Sequence, residues 1–156
     1  YDVDTIIRIG TAGSMQENIK LHDIVIATSA CSESSINDNL FANINFSPTP
    51  DFDLLFKTYN KSMELGYTTH CGQVHSSDQF YNNLPKEVFE NLRKYGVLCV
   101  EMESYGLFMT ARKYSKKGLG IFTISDSLIE DVSDSAENRE KSYTNMMKLA
   151  LEVVGE

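Results

Sequence analysis

The sequence has little cysteine, little proline and no tryptophan: three, three and none in 156 residues. Cys31, Cys71 and Cys99 are odd in number and far apart, which excludes a disulfide framework and predicts buried, reduced thiols, as in a reducing cytoplasm. No CxxC pair occurs and no two histidines lie three or four residues apart, so we expect no metal site. With 42% apolar residues, the chain has too much core material to be disordered.

Positive charge is also scarce. Fourteen basic against 22 acidic side chains give a net charge of 14 − 22 = −8, and no cationic run exceeds two residues. Such a surface repels phosphate backbones and anionic lipid, so we expect neither nucleic acid nor a membrane among the partners. No apolar run reaches about 18 residues and no targeting segment opens the chain, which predicts a soluble, cytoplasmic protein.

The first residues have the composition of a central strand. Ile6, Ile7 and Ile9 form a β-branched run with Val3 before it, and such a run suits a strand that is covered on both faces. This strand needs neighbours, and no initiator methionine precedes it. We therefore expect the domain to be N-terminally incomplete, with early strands and part of the site absent.

Strands and helices alternate along the rest of the chain. Apolar runs predict strands at 23–28, 68–75, 97–100 and 120–124, and helical spacing predicts helices at 51–66, 85–94, 102–114 and from Asp134 or Ser135 onward. A polar stretch at 32–45 predicts a surface loop. The alternation predicts an α/β fold in which helices flank a layered sheet, as a single domain over residues 1–156.

Two of these helices are predicted to be amphipathic. Asp51 is the expected N-cap of the first helix. Apolar residues recur at helical spacing on one face of each, namely Phe52, Leu55, Phe56, Tyr59 and Met63 in the first and Tyr143, Met146, Met147, Ala150 and Val154 in the last.

Polar side chains follow three of the strands, and ligands of open α/β sheets collect where strands end. The first of these ends carries Arg8 and then Gly10, Thr11, Ala12 and Gly13. The two glycines let the backbone approach an anion, while the hydroxyl and the guanidinium can bind it. The pattern therefore favours an oxyanion site, and a surface ion pair of Arg8 is the alternative.

Carboxylates mark the other two strand ends. Glu101 and Glu103 flank Met102 where a strand runs into a helix, so they either interact with the helix dipole or accept hydrogen bonds from a polyhydroxyl ligand. Asp126 follows Ser125 at the exit of an apolar strand. It is either a turn and capping residue or a partly desolvated acid that can donate a proton.

Taken together, these three stretches resemble the nucleoside phosphorylase/hydrolase family, and most nearly its bacterial-type, hexameric purine nucleoside phosphorylases. The resemblance covers nearly the whole chain and includes the segments 20–26, 77–81 and 94–98. It implies reversible phosphorolysis of purine (deoxy)ribonucleosides to free base and (deoxy)ribose 1-phosphate. Inorganic phosphate would be a co-substrate, no cofactor would be needed, and the protein would be a homo-oligomer, either a dimer or a hexamer of dimers.

The resemblance also implies a role for each site residue. Arg8 and Thr11 would hold phosphate, and Glu101, Met102 and Glu103 would contact the ribose. The base would lie against Ala12, Gly13, Phe80, Val100 and Ser125. Asp126 would be the general acid toward the base, assisted by Arg139 near the start of the final helix.

Other chemistries within the family are alternatives. Nucleosidases, which use water, resemble the chain at 100–103 and 125–126 but generally lack an arginine at the position of Arg8. Uridine phosphorylases share the Arg-Ile-Gly-Thr opening and resemble the chain less at Asp126. Ser127 stands where many relatives have histidine, which leaves specificity open. A catalytically inactive, truncated homologue that serves only in assembly is a further alternative.

Overall fold

The computed structural model describes residues 2–37, 40–42, 44–81, 84–135 and 143–155. Within these residues the strands are β1 (Thr5–Ser14), β2 (Ile24–Ser32), β3 (Thr69–Ser76), β4 (Cys99–Glu101), β5 (Lys117–Ser127) and β6 (Val132–Ser133). The helices are α1 (Phe52–Glu64), α2 (Lys86–Lys94), α3 (Ser104–Lys113) and α4 (Thr144–Gly155), with a 3-10 turn at Ser35–Asn37. The predicted α/β fold, a sheet with flanking helices, is confirmed.

The sheet is mixed and closes on itself. Its strand order is β1-β4-β3-β2-β5-β6, and β1 also pairs with β5, so the first five strands of this order form a ring. Strands β1 and β5 run parallel from the Thr5↔Lys117 pair to the Ser14↔Ser127 pair, with a bulge between Ala12 and Gly13. Strands β2, β3 and β4 are parallel to one another. The carboxyl ends of β1 and β5 therefore lie side by side.

Two apolar cores explain why the strand sequences are almost continuously apolar. Phe122 and Ile124 of β5 pack with Phe108 of α3, whereas Leu119 and Ile121 of the same strand pack with the residues of α4. Because successive side chains of a strand point to opposite faces, a strand between two cores needs apolar residues at every position.

Helix α1 has the predicted bounds and cap, but only Leu55 of its predicted apolar face packs against the core. Asp51 accepts a hydrogen bond from the Leu54 amide at 2.9 Å, which confirms the N-cap. Phe52 is 70% exposed, however, while Thr58 and Ser62 are buried. The Thr58 hydroxyl donates to the Leu54 carbonyl at 2.8 Å, and the Ser62 hydroxyl lies 2.5 Å from that of Thr69. Small side chains that bond in this way let the helix lie close to β3.

Other sequence predictions are corrected in detail. The buried face of α4 contains Leu149 and Val153, whereas Met147 and Val154 of the predicted face are exposed. Strand β4 begins at Cys99 rather than at residue 97, and β6 was not predicted. The predicted start of the last helix adjoins residues 136–142, which lie outside the described residues.

The cysteines differ in exposure. Cys99 is buried, Cys31 is partly buried and Cys71 is exposed, so the prediction of three buried thiols is wrong for Cys71. Burial raises the pKa of the Cys99 thiol well above its usual range.

Candidate active site

Arg8 of β1 and Glu103 at the start of α3 form the centre of the site. The Arg8 Nε donates to Glu103 Oε2 at 2.9 Å, and its Nη2 donates to the same oxygen. The Nη1 donates to the carbonyl of Ile9 at 3.2 Å. The guanidinium carbon lies 5.9 Å from the centre of the Phe122 ring, close enough for a cation–π contact. Two residues that the sequence placed in separate subsites are therefore in direct contact.

Gly10 makes room for this guanidinium. A Cβ atom at Gly10 would lie 3.0 Å from each terminal nitrogen of Arg8 and 3.1 Å from its Cζ. Residues 8 and 10 share one face of β1, so the long arginine side chain folds along the strand over the glycine. The sequence motif suggested that this glycine lets an anion approach the backbone, but the structure shows it accommodating a cationic side chain.

The Gly10→Ala variant is expected to raise the KM for phosphate about tenfold, the equivalent of roughly 1.4 kcal/mol in binding. The added methyl group would displace the Arg8 guanidinium, and because the displaced atoms are the mobile end of a side chain, the melting temperature should change little. Steady-state kinetics and thermal unfolding measure the two effects. Gly155→Ala is the matched control, since a Cβ atom there meets nothing within 4 Å. An unchanged KM in Gly10→Ala would contradict this role of Gly10.

Glu101 is held by the protein itself. It is 4% exposed, and its carboxylate accepts hydrogen bonds from the amides of Glu103 and Ser104, each at 2.9 Å, and from the Ser76 hydroxyl. These amides belong to the first turn of α3, where N–H groups have no partner within the helix. Glu101 therefore anchors the start of the helix that carries Glu103. Its contact with ribose stays a prediction.

A cavity of about 590 Å³ opens beside the Arg8–Glu103 pair. Arg8, Met102 and Glu103 line it, together with Ser32, Ser34, Ser76 and Asp78 from the ends of β2 and β3. The volume is in the range of small-molecule sites. A cation, two carboxylates, a thioether and several hydroxyl groups therefore face one space.

Gly13 and Val100, both assigned to the base, lie together next to Asp126 and outside the lining of this cavity. Gly13 pairs with Val100 of β4 on one side and with Asp126 of β5 on the other. A Cβ atom at Gly13 would lie 3.4 Å from Leu128 and 3.5 Å from the Val100 side chain. The closed sheet thus brings together residues from three strands that are up to 113 positions apart in sequence, since 126 − 13 = 113.

Asp126 is held by its neighbours on β5 and β6. The buried Ser125 hydroxyl donates to Asp126 Oδ2, and Asp126 pairs with Ser133 of β6. The Asp134 amide donates to the Ser125 carbonyl at 2.8 Å, which fixes the short return strand beside the acid. The bulge between Ala12 and Gly13 is what brings Gly13 opposite Asp126 rather than opposite Ser125.

The distance along β1 between the Arg8 guanidinium and Asp126 suits one ligand. The Arg8 guanidinium lies over Gly10, and Asp126 pairs with Gly13, three residues further along β1. At about 3.3 Å per residue, this is a span of roughly 10 Å. A phosphate, a pentose and the five-membered ring of a purine cover about this length.

Of the assigned residues, Arg8, Met102 and Glu103 line this cavity. Eight others that the structure describes do not line it, namely Thr11, Ala12, Gly13, Phe80, Val100, Glu101, Ser125 and Asp126. Thr11 is exposed and does not line it, and because side chains alternate along β1, Thr11 is on the opposite face from Arg8. The side chain of Ala12 packs in the core, which leaves only its backbone available. Phe80 is 77% exposed, with its ring 5.0 Å from that of Tyr81. Arg139 lies outside the described residues.

Each histidine has a carboxylate nearby. His22 lies 3.2 Å from Asp134, His70 lies 2.9 Å from Asp23, and His75 lies 3.1 Å from Glu33. Among the described residues, no group of three or more histidine, cysteine, aspartate or glutamate side chains is arranged to hold a metal ion.

Sequence reasoning missed the residues that support the site. Gly10 was assigned a different purpose, and Ser76, Leu128 and Glu33 were not singled out. Ser76 bonds Glu101 and also accepts from the Tyr105 amide at 2.9 Å. An isolated serine after a strand has no signature that separates this role from an ordinary turn residue.

Comparison with known proteins identifies the family. The model of the phosphorylase superfamily matches residues 1–155. The chain belongs to the phosphorylase superfamily.

Three similar curated proteins have the same name. Proteins called purine nucleoside phosphorylase DeoD-type are 46% identical in Thermoanaerobacter sp. (strain X514), 45% in Caldanaerobacter subterraneus subsp. tengcongensis and 42% in Listeria welshimeri, in each case over 153 residues. These alignments cover 97 to 98% of the chain. The chain spans 64 to 66% of the length of these relatives.

No described helix is long and apolar enough to cross a membrane.

Proposed function

We propose that the chain carries the active-site residues of a purine nucleoside phosphorylase. The substrates are a purine (deoxy)ribonucleoside and inorganic phosphate, and the products are the free base and (deoxy)ribose 1-phosphate. The placement of the Arg8–Glu103 pair and of Asp126, about three β1 residues apart, carries this proposal, because it gives a cation, a diol acceptor and an acid at the spacing of one nucleoside and one phosphate. The relatives of this name at 42 to 46% identity support it.

In the proposed mechanism, Arg8 binds phosphate. A guanidinium can donate two parallel hydrogen bonds to phosphate oxygens, and the contact of Arg8 with Glu103 keeps its side chain at the cavity. A phosphate oxygen then attacks the anomeric carbon and forms the new C–O bond. Because the Thr11 side chain lies on the opposite face of β1, this residue contributes only its backbone to the subsite in this proposal.

The sugar is held at the end of β4. Glu103, half exposed and lining the cavity, accepts hydrogen bonds from the ribose hydroxyl groups, with Met102 packed on the sugar. Glu101 holds the turn that presents both residues. As the C–N bond breaks, the ribose becomes positively charged, and the carboxylate of Glu103 and the phosphate stabilise this charge.

The base leaves at the Gly13 end. The electron pair of the C–N bond goes to the purine, and Asp126 donates a proton to a nitrogen of its five-membered ring, assisted by Arg139. Val100, Phe80 and the backbone of Ala12 and Gly13 form the apolar slot, and Ser125 orients Asp126. The reaction as proposed needs no bound cofactor or metal.

We also propose that the protein works as a homo-oligomer in the cytoplasm. Phe52 and Phe56 of α1 are exposed with their rings stacked 6.0 Å apart, and exposed apolar groups of this kind favour association. The acidic net charge of −8 is consistent with small polar substrates rather than a nucleic acid or a membrane surface.

The experiment that tests the proposal is an assay of base release from inosine and adenosine with and without phosphate. We expect release that depends on phosphate. Release that is independent of phosphate would favour the nucleosidase, and no release from the folded protein would favour an inactive assembly chain. Uridine is the control nucleoside, and cleavage of uridine in preference to inosine would favour a pyrimidine phosphorylase.

A further inference from the structure

Glu33, directly after β2, joins two walls of the cavity. Its Oε1 accepts a hydrogen bond from the Ser77 hydroxyl at 2.8 Å and one from the Asp78 amide at 3.0 Å. Its Oε2 lies 3.1 Å from Nε2 of His75. A single carboxylate thus bridges the end of β2 and the turn that follows β3, which are more than 40 positions apart in sequence.

His75 lies beside this carboxylate on the core side. The histidine is buried on β3, and its Nδ1 lies 3.7 Å from the Cys31 sulfur. Burial lowers the pKa of His75, although Glu33 and Glu101 act in the opposite direction. Burial alone would raise the pKa of Glu33, but hydrogen bonds from backbone amides and from Ser77 outweigh it and hold that pKa below its usual value.

Ser77 also connects the turn over 77–81 to the backbone around it. The Ser77 amide donates to the Glu101 carbonyl at 2.8 Å, and the Ser77 hydroxyl also lies 2.9 Å from the Gln79 carbonyl. Asp78 lines the cavity, and Phe80 is exposed with its ring against Tyr81. Because Phe80 is not buried in the core, the position of its ring follows from the turn that precedes it.

We infer that Glu33 is a positioning residue for the base subsite: its carboxylate fixes the Ser77–Asp78 turn and thereby places Phe80. The inference rests on the proposed function, since that function assigns Phe80 to the purine. Glu33 does not line the cavity itself, and its effect on a substrate is transmitted through the two hydrogen bonds to Ser77 and Asp78.

Kinetics of two variants test the inference. Glu33→Ala removes both hydrogen bonds and is expected to raise the KM for nucleoside about tenfold while the KM for phosphate stays within about twofold. Glu33→Gln keeps an acceptor oxygen for Ser77 and Asp78 and should restore most of the loss. Glu17→Ala is the matched control, because Glu17 is also a surface carboxylate in an ion pair, with Arg93 at 2.5 Å, and does not line the cavity. Equal rises in both KM values, or no rise, would overturn the inference.

A fluorescent reporter separates this inference from the proposed function. The chain has no tryptophan, so Phe80→Trp introduces a single one into the turn. Adding Glu33→Ala to this variant should lower the anisotropy of the emission and increase its quenching by acrylamide, while adding Glu33→Gln or Glu17→Ala should not. Unchanged anisotropy and quenching in the Glu33→Ala background would overturn the role of Glu33. Absence of phosphorolysis in the unmodified protein would instead overturn the proposed function.

Discussion

Replacing Asp126 by alanine is expected to lower kcat for purine nucleoside phosphorolysis by about 10² to 10⁴, the usual contribution of a general acid. The departing base gathers negative charge, and without a proton donor at the Gly13 end this charge is left uncompensated. Asp126→Asn should lose nearly as much, since its amide still accepts the hydrogen bond from Ser125 but is a far weaker acid. The measurement is kcat at saturating nucleoside and phosphate.

A nucleoside whose base is already cationic provides the sharpest control for this prediction. A purine nucleoside methylated on the five-membered ring leaves as a neutral base and needs no proton. The loss in Asp126→Ala should therefore shrink to about tenfold or less with this substrate. Glu130→Ala controls for changes in the same loop, because Glu130 bonds Lys20 at 2.6 Å on the surface. Near-normal kcat in Asp126→Ala with inosine would show that the acid is elsewhere.

The Arg8→Gln variant should raise the KM for phosphate by about 10²-fold. Two hydrogen bonds to a charged partner, at about 1.5 kcal/mol each, account for a change of this size. The KM for nucleoside should rise less, because Glu103, although it loses its cationic partner, still faces the sugar. Initial rates at varied phosphate and fixed saturating nucleoside measure the effect.

Arg93→Gln is a close control for Arg8→Gln. Both arginines are in an ion pair with a glutamate, and their side chains have the same exposure, 29% for Arg8 and 30% for Arg93. Only Arg8 lines the cavity. A phosphate KM that rises equally in both variants would indicate a general effect of lost charge. One that changes in neither would reject Arg8 as the phosphate ligand and favour hydrolysis by water.

Local structure could be predicted well from the sequence where a single signal was strong. The cap at Asp51 and the glycine with positive φ at Gly66 define the bounds of α1, and both signals are local. The buried face of the same helix was predicted only at Leu55, because the residues that are fully buried, Thr58 and Ser62, are polar. Thr58 and Ser62 face inward because their hydroxyls find partners, a fact that depends on β3 and on the helix backbone.

The site was predictable only in outline. Position at a strand end and resemblance to a family identified Arg8, Glu103 and Asp126, and the structure brings Arg8 and Glu103 into contact. That contact could not be read from spacing, because it joins residues 95 positions apart. The bridge from Glu33 to Ser77 escaped notice for the same reason: Ser77 belongs to the segment 77–81 of the resemblance, but nothing local links that segment to Glu33, 44 positions away. Long-range pairs of polar side chains depend on the register of the sheet, which local patterns do not encode.

The paired length of β1 and β5 has an evolutionary consequence. Since one ladder carries the cation at its middle and the acid at its far end, sliding either strand by a single position would turn every side chain to the wrong face and disable both ends at once. Natural variation in which base is accepted should therefore accumulate in the segments beyond the strands, around 77–81 and 128–131, while the ladder stays as it is.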